Sequence, residues 1–318
     1  MNENYHEYLE FAKKIALTAG GIMKCFFNEG HIPITLKGDR TALTVADTTI
    51  NDYLIECVKK LYPTHAVMGE EKDLQTKSDY VWVCDPVDGT SMYARYIPVS
   101  VFSLALVIKG ESILGVVYDP FTESMYTAIK GEGAYKNGVK ISVNDFKFND
   151  RGNSVANFEM WPEAHFEIYN IVAELGRISY FVNIGSIIRA SVAVASGKFT
   201  AAIFPGVVDC CHDIAAIKVV VEEAGGKVTS LFGEEERYDK KDSEGKPMKI
   251  GIITGALVSN GIVHDEIINT IGKYHDKNDI KLLQDKLLQN YMEAKTRNSR
   301  DRLKVLLNEI STLQDFIC

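Results

Sequence analysis

The sequence predicts an α+β fold, and three observations predict it. An amphipathic helix opens the chain, strand follows strand through the rest of its first half, and strands alternate with helices in its second half. Apolar residues three and four apart mark helices, and short β-branched runs between turn residues mark strands. A helix-flanked meander followed by an α/β layer is the architecture these elements allow. With 318 residues, 46% hydrophobic and 25% charged, the chain has enough apolar surface for one large domain or two smaller ones.

Tyr8, Phe11, Ile15, Ala19, Ile22 and Phe26 recur at helical spacing and predict a helix over 4–28. Past Gly30 and Pro33, IPITLK reads as a short strand. Thr44 is suited to cap the next helix, with Asp47 three residues on at the capping-box position. HAVMG is a β run that delivers Glu70 and Glu71 to a strand end. In YVWVCDPVDGTSMYAR (80–95), Val81, Trp82, Val83 and Cys84 predict a buried strand that breaks off at Asp85 into a polar turn. From 99 to 136 the pattern is an antiparallel meander, closed by a hairpin with Asn137-Gly138 at its tip.

The polar stretch SVNDFKFNDRGN is the expected linker into a second subdomain. SVANFE, SYFVNIG and FTAAIFP then read as strands, with helices at HFEIYNIVAELG and at SIIRASVAVASGK, the latter started by Gly185 and Ser186. A further helix begins near Cys211, with Asp213 in its first turn and Ala215, Ala216, Val219 and Val220 on the face that meets a sheet. GEEERYDKKDSEGKPMK is a solvated loop, MKIGIITGALVS the last strand and 260–272 the last helix of this region. Residues 279–318 are helix-like, with Leu303, Leu306, Ile310, Leu313 and Ile317 forming a seam of about two heptads. Either a helical hairpin on its own domain or a self-association tail fits that seam. The expected division is an N-terminal α+β subdomain over 1–145, an α/β subdomain over 146–276 that supplies Asp213, and a helical extension over 277–318.

A net charge of −8 argues against a nucleic-acid surface as the main role. The longest apolar run, VSVFSLALVI, is too short for a bilayer span, and MNENYHEYLEF lacks the basic and apolar regions of a signal peptide. The expectation is a cytoplasmic protein with no membrane partner. Its six scattered cysteines fit reduced thiols. Cys210 and Cys211, followed by His212 and Asp213, would need a second paired cluster to form a zinc site.

Asp85 and Asp88 emerge together at a strand end. Pro86 stiffens the turn between them, and Gly89 admits a positive φ. A helix starting near Thr90 would aim its leading amides at a phosphate. Carboxylates and phosphate repel, so the arrangement asks for divalent cations between them, and hard cations such as Mg²⁺ take oxygen ligands. Each acid also has a plain structural reading: a turn for Asp85 and Asp88, a cap for Asp47, a solvated loop for Glu70 and Glu71, and a dipole partner for Asp213.

The run Asp85-Pro86-Val87-Asp88-Gly89-Thr90 resembles the signature of the inositol monophosphatase family of metal-dependent, lithium-sensitive phosphatases. TALTVADTTIND (41–52), PTHAVMGEEKD (63–73) and CHDIAAIKVVVEEAGGKV (211–228) resemble its other conserved-type segments, in the family's order, over roughly residues 5 to 275. The resemblance implies a layered αβαβα sandwich of the sugar-phosphatase type, with two or three Mg²⁺, or Mn²⁺, per site. Glu70, Asp85 and the Val87 carbonyl would hold one ion, Asp85, Asp88 and Asp213 another, with Asp85 bridging. Thr90 paired with Asp47 would orient or deprotonate the water, assisted by Glu70, with no covalent phosphoenzyme. The phosphate would meet Asp88, Gly89, Thr90 and Ser91, and the rest of the substrate would meet Gly185, Ser186 and Arg189. Arg189 and Lys198 are candidates for a second phosphate, or are simply surface cations. The partners implied are a small phosphorylated metabolite and a second copy of the chain in a homodimer. Two departures bear on the substrate: Phe204, Pro205 and Gly206 occupy the region where the inositol enzymes carry a glutamate that binds hydroxyls, leaving Asp209 as its nearest acid, and His212 stands where the family has tryptophan.

Overall fold

The computed structural model describes residues 5–28, 34–36, 42–74, 77–150, 152–160, 168–205, 211–235 and 255–276. Helix α1 (Tyr5–Asn28) buries Phe11, Ile15 and Ala19, the face its spacing predicted. After β1 (Ile34–Leu36) and β2 (Ala42–Thr44), a two-stranded pair, comes α2 (Val45–Leu61). Strands β3 (Ala66–Gly69), β4 (Tyr80–Asp88), β5 (Val101–Ile108), β6 (Glu111–Asp119), β7 (Ser124–Ile129), β8 (Gly133–Lys136) and β9 (Val139–Lys140) form a seven-stranded sheet in sequence order. It is antiparallel from β4 onward, and β3 pairs parallel to β4. One helical turn, α3 (Thr90–Tyr93), separates β4 from β5.

The second half contains β10 (Val155–Phe158), α4 (Tyr169–Leu175), β11 (Tyr180–Val182), α5 (Ile187–Ala195), β12 (Ala201–Phe204), α6 (Cys211–Glu223), β13 (Lys227–Ser230), β14 (Ala256–Ser259) and α7 (His264–Tyr274). Its strands form a five-stranded sheet in the order β11-β10-β12-β14-β13.

Side-chain alternation distributes three cores between these elements. Trp82, Leu104 and Leu106 face α1 and α2 on one side of the large sheet. Val83, Ala105 and Val117 face α5 and α6 on the other, and those helices also cover Ala202, Phe204 and Val258 of the small sheet. The opposite face of the small sheet, with Ala201, Ile203 and Leu257, packs on α4 and α7. The layers therefore run helix, sheet, helix, sheet, helix, as expected.

Helix α6 lies close on the large sheet because Gly115 of β6 has no side chain. A Cβ there would sit 2.4 Å from the Ala216 carbonyl oxygen. Ala215, Ala216, Val219 and Val220 are buried in this interface, so the start of α6 is fixed against the end of β4.

Two expectations are corrected here. The strand that was to end at Cys84 continues to Asp88, held by pairing with β5 across an irregular register. Strands β2 and β13 were not anticipated; they are three and four residues long, too short for alternation to register. The charged loop falls mostly outside the described residues, as does the extension from 277 to 318.

Candidate functional site

The site is built where β4 meets the start of α6. Asp85 pairs with Ser103 of β5, but the next pair is Asp88 with Val101, so β4 carries one residue more than its partner. Such a bulge shifts the strand's phase. In a regular strand, residues three apart point to opposite faces. Here Asp85 and Asp88 share the face of Val83 and Val101, the α6 side, while Val87 turns to the α1 side. Asp213 in the first turn of α6 meets them: carboxylate oxygens of Asp85, Asp88 and Asp213 all lie within 4.8 Å of one another. A second group, Asp47, Glu70 and Glu71, is equally close-set.

These acids are held by short-range polar contacts. Asp85 Oδ1 accepts from the Val87 amide at 3.0 Å. Asp88 Oδ2 accepts from the Ser186 hydroxyl and, at 2.8 Å, from the Ile188 amide, tying β4 to the start of α5. Asp47 caps α2 and also faces Thr90. One oxygen accepts from the Thr44 amide at 2.9 Å in a capping box, and the other lies 3.4 Å from the Thr90 hydroxyl. That hydroxyl is also 2.8 Å from the Val87 carbonyl oxygen, so its single proton serves one acceptor at a time. Gly89 caps α3 at φ +80°, and a Cβ there would stand 2.9 Å from the Gly185 carbonyl oxygen. The leading amides of α3 have no acceptor within the helix.

Burial of like charges raises the carboxyl pKa values. Burial, then Glu70, push Asp47 to about 7. Burial moves Asp88 to about 6 against the hydrogen bonds from Ser186 and Ile188. Asp85 is raised well above the usual range by burial and by Glu70, Asp88 and Asp213. A set of buried acids that repel one another is stabilised by a cation among them. The donors are all hard oxygens, which suits Mg²⁺ or Mn²⁺. The residues thus fit the ions expected of them.

Other expected residues are located as follows. Gly185 and Ser186 adjoin Gly89 and Asp88. Ser91 is exposed, and its hydroxyl accepts from Arg95 Nη1 at 2.7 Å. The partly exposed Arg189 guanidinium pairs with buried Asp119, whose Oδ1 caps the Phe121 and Thr122 amides. His212 lies beside Asp213, with 3.8 Å between Nε2 and Oδ1. Gly206 and Asp209 fall outside the described residues.

One acid was missed. Glu159, 5% exposed at the end of β10, accepts from Asn157 Nδ2 at 3.0 Å and from the Gly185 amide at 3.1 Å. Burial first, and Asp88 among the lesser causes, raise its pKa to about 7. An isolated acid after a short strand carries no sequence pattern that would mark it.

A two-sheet sandwich with acids converging from β4 and α6 defines an α+β protein with a candidate cation site. Within that class the chain belongs to the inositol monophosphatase family, whose model matches residues 4–275. It is 32% identical over 279 residues to a fructose-1,6-bisphosphatase/inositol-1-monophosphatase of Aquifex aeolicus (strain VF5), covering 86% of this chain and 98% of that one. Nus factor SuhB of Escherichia coli (strain K12) is 30% identical over 233 residues, 72% and 86% of the two chains. Inositol monophosphatase from Anabaena superposes with a TM-score of 0.69 at 23% identity, covering 85% and 97%. Staphylococcal IMPase-I complexed with products does so at 0.70 and 22%, covering 84% and 96%. Among the described residues no helix is long and apolar enough to cross a membrane.

Proposed function

We propose that this protein hydrolyses a small phosphate monoester in a Mg²⁺-dependent reaction, without a covalent intermediate. The observation that carries the reading is the convergence of Asp85, Asp88 and Asp213 on one face, next to the Thr90–Asp47 contact. Asp85, Asp88 and Asp213 would hold one ion, and Glu70, Asp85 and the Val87 carbonyl another, with Asp85 between them. Bound there, the ions would supply charge neutralisation and a water of lowered pKa.

The chain's own groups do the rest. Thr90, beside Asp47, orients the attacking water, and Glu70 with Asp47 takes up its proton. The leading amides of α3 at Gly89, Thr90 and Ser91 receive phosphate oxygens. Gly185 and Ser186, held by Glu159 and Asp88, border the substrate. Lithium inhibition, a homodimer and a cytoplasmic location belong to the same reading.

The Aquifex relative bears both a bisphosphatase and a monophosphatase name, which supports fructose 1,6-bisphosphate as the second substrate to try, ahead of 3'-phosphoadenosine 5'-phosphate. A noncatalytic ligand-binding module on this fold is the reading from another class; it would have no need of the Thr90–Asp47 contact. The test is phosphate release by the purified protein, with and without Mg²⁺, from inositol 1-phosphate, both of those compounds and histidinol phosphate. Mg²⁺-dependent release from any of them supports the reading. Metal binding without release from all four moves the weight to the binding module.

A further inference from the structure

Ser103 of β5 is fully buried, and its hydroxyl has no hydrogen-bond partner among the described residues. An unsatisfied buried hydroxyl is destabilising, so its presence asks for an explanation. Its location offers one. Ser103 stands directly opposite Asp85 in the antiparallel pair of β5 and β4. Residues so paired point to the same face, with Cβ atoms about 5 Å apart. That is the face on which Asp213 approaches. Asp85 has one oxygen engaged by the Val87 amide, and an ionised carboxylate has about four acceptor positions. Rotation about one side-chain bond carries a serine hydroxyl between staggered positions, which brings this donor within reach of that carboxylate.

We infer that Ser103 is a positioning residue for the cation-loaded site, donating its hydrogen bond to the Asp85 carboxylate there. The inference rests on the metal site proposed above. Ser103 touches no substrate. It would fix the plane of the Asp85 carboxylate, as the outer partners of metal ligands generally do. Ser112 of β6 provides the contrast: its hydroxyl is also buried and unsatisfied among the described residues, but it pairs with Val107 at the end of β5 away from the acids.

The test compares Ser103→Ala with Ser112→Ala in the full chain, using Mn²⁺ and Mg²⁺ titration calorimetry and thermal melting in chelator. Both substitutions remove an unsatisfied hydroxyl, so both metal-free variants melt at or above the wild type. Only Ser103→Ala loses metal affinity, on the order of ten-fold, and Ser103→Cys, a weak donor of similar size, falls between. Unchanged affinity in Ser103→Ala overturns the inference, as does a lower metal-free melting temperature, which would mean that the hydroxyl is already satisfied without metal. If the wild type binds neither ion, the metal site itself fails, which is a different result.

Discussion

Asp85 and Asp88 lie three residues apart on one strand and yet face the same side of the sheet. The bulge opposite Ser103 and Val101 makes this so. Without the extra residue, one of the two acids would point into the apolar layer beneath α1 and α2, and Asp213 would meet a single carboxylate.

Replacing Asp85 by Asn removes the acid expected to bridge while keeping its shape. Phosphatase activity should fall at least about 100-fold, the scale seen when one electrostatic contact to a transition state is lost. The melting temperature in chelator should stay equal or rise, since one of the repelling acids is gone. An Asp85→Asn enzyme of wild-type activity would refute the assignment.

The same repulsion sets a pH dependence. Asp47 and Asp88 titrate near 7 and 6 in the folded protein, against about 4 when unfolded. Between those values the folded chain binds more protons, so metal-free stability falls as pH rises from about 4 to 7 and is fullest below that window. Divalent cation offsets the charge, and the gap in melting temperature between loaded and metal-free protein should widen from pH 5 to 8. A constant gap would mean that the ion binds elsewhere.

Gly89→Ala should damage both fold and site. The residue has φ +80°, and its new Cβ would meet the Gly185 carbonyl at 2.9 Å. Left-handed backbone alone costs roughly 1–2 kcal/mol for other residues. A denaturant midpoint lowered by at least that amount, with weakened phosphate binding, is the expected result.

Arg189→Met separates two roles for one cation. Buried Asp119 would lose its charged partner but keep its bonds from Phe121 and Thr122, so stability should drop by roughly 2–3 kcal/mol, below the full cost of a broken buried pair. KM for a monophosphate should not change. A rise in KM with unaltered stability would return Arg189 to the substrate.

Much of this was legible in the sequence, for identifiable reasons. The α1 face follows from residue spacing, the Asn137–Gly138 turn from its chemistry, and the acids at 85, 88 and 213 from segments that resemble those of the family. The bulge was not legible, because nothing in Asp-Pro-Val-Asp states which residue of β5 will be skipped. The same limit hid Ser103 and Glu159, whose importance lies in neighbours brought by other elements. Asp47 shows the intermediate case: its cap was readable from spacing, whereas its contact with Thr90, 43 residues away, was implied only by the family resemblance.

The most direct test of the central claim is phosphate release at increasing Mg²⁺ by the wild type beside Asp213→Asn, the acid that α6 brings to β4. The account predicts no release in chelator, saturable activation of the wild type, and a loss of at least about 100-fold in the variant at an unchanged melting temperature. Full release in chelator, or equal activation of both proteins, would contradict it.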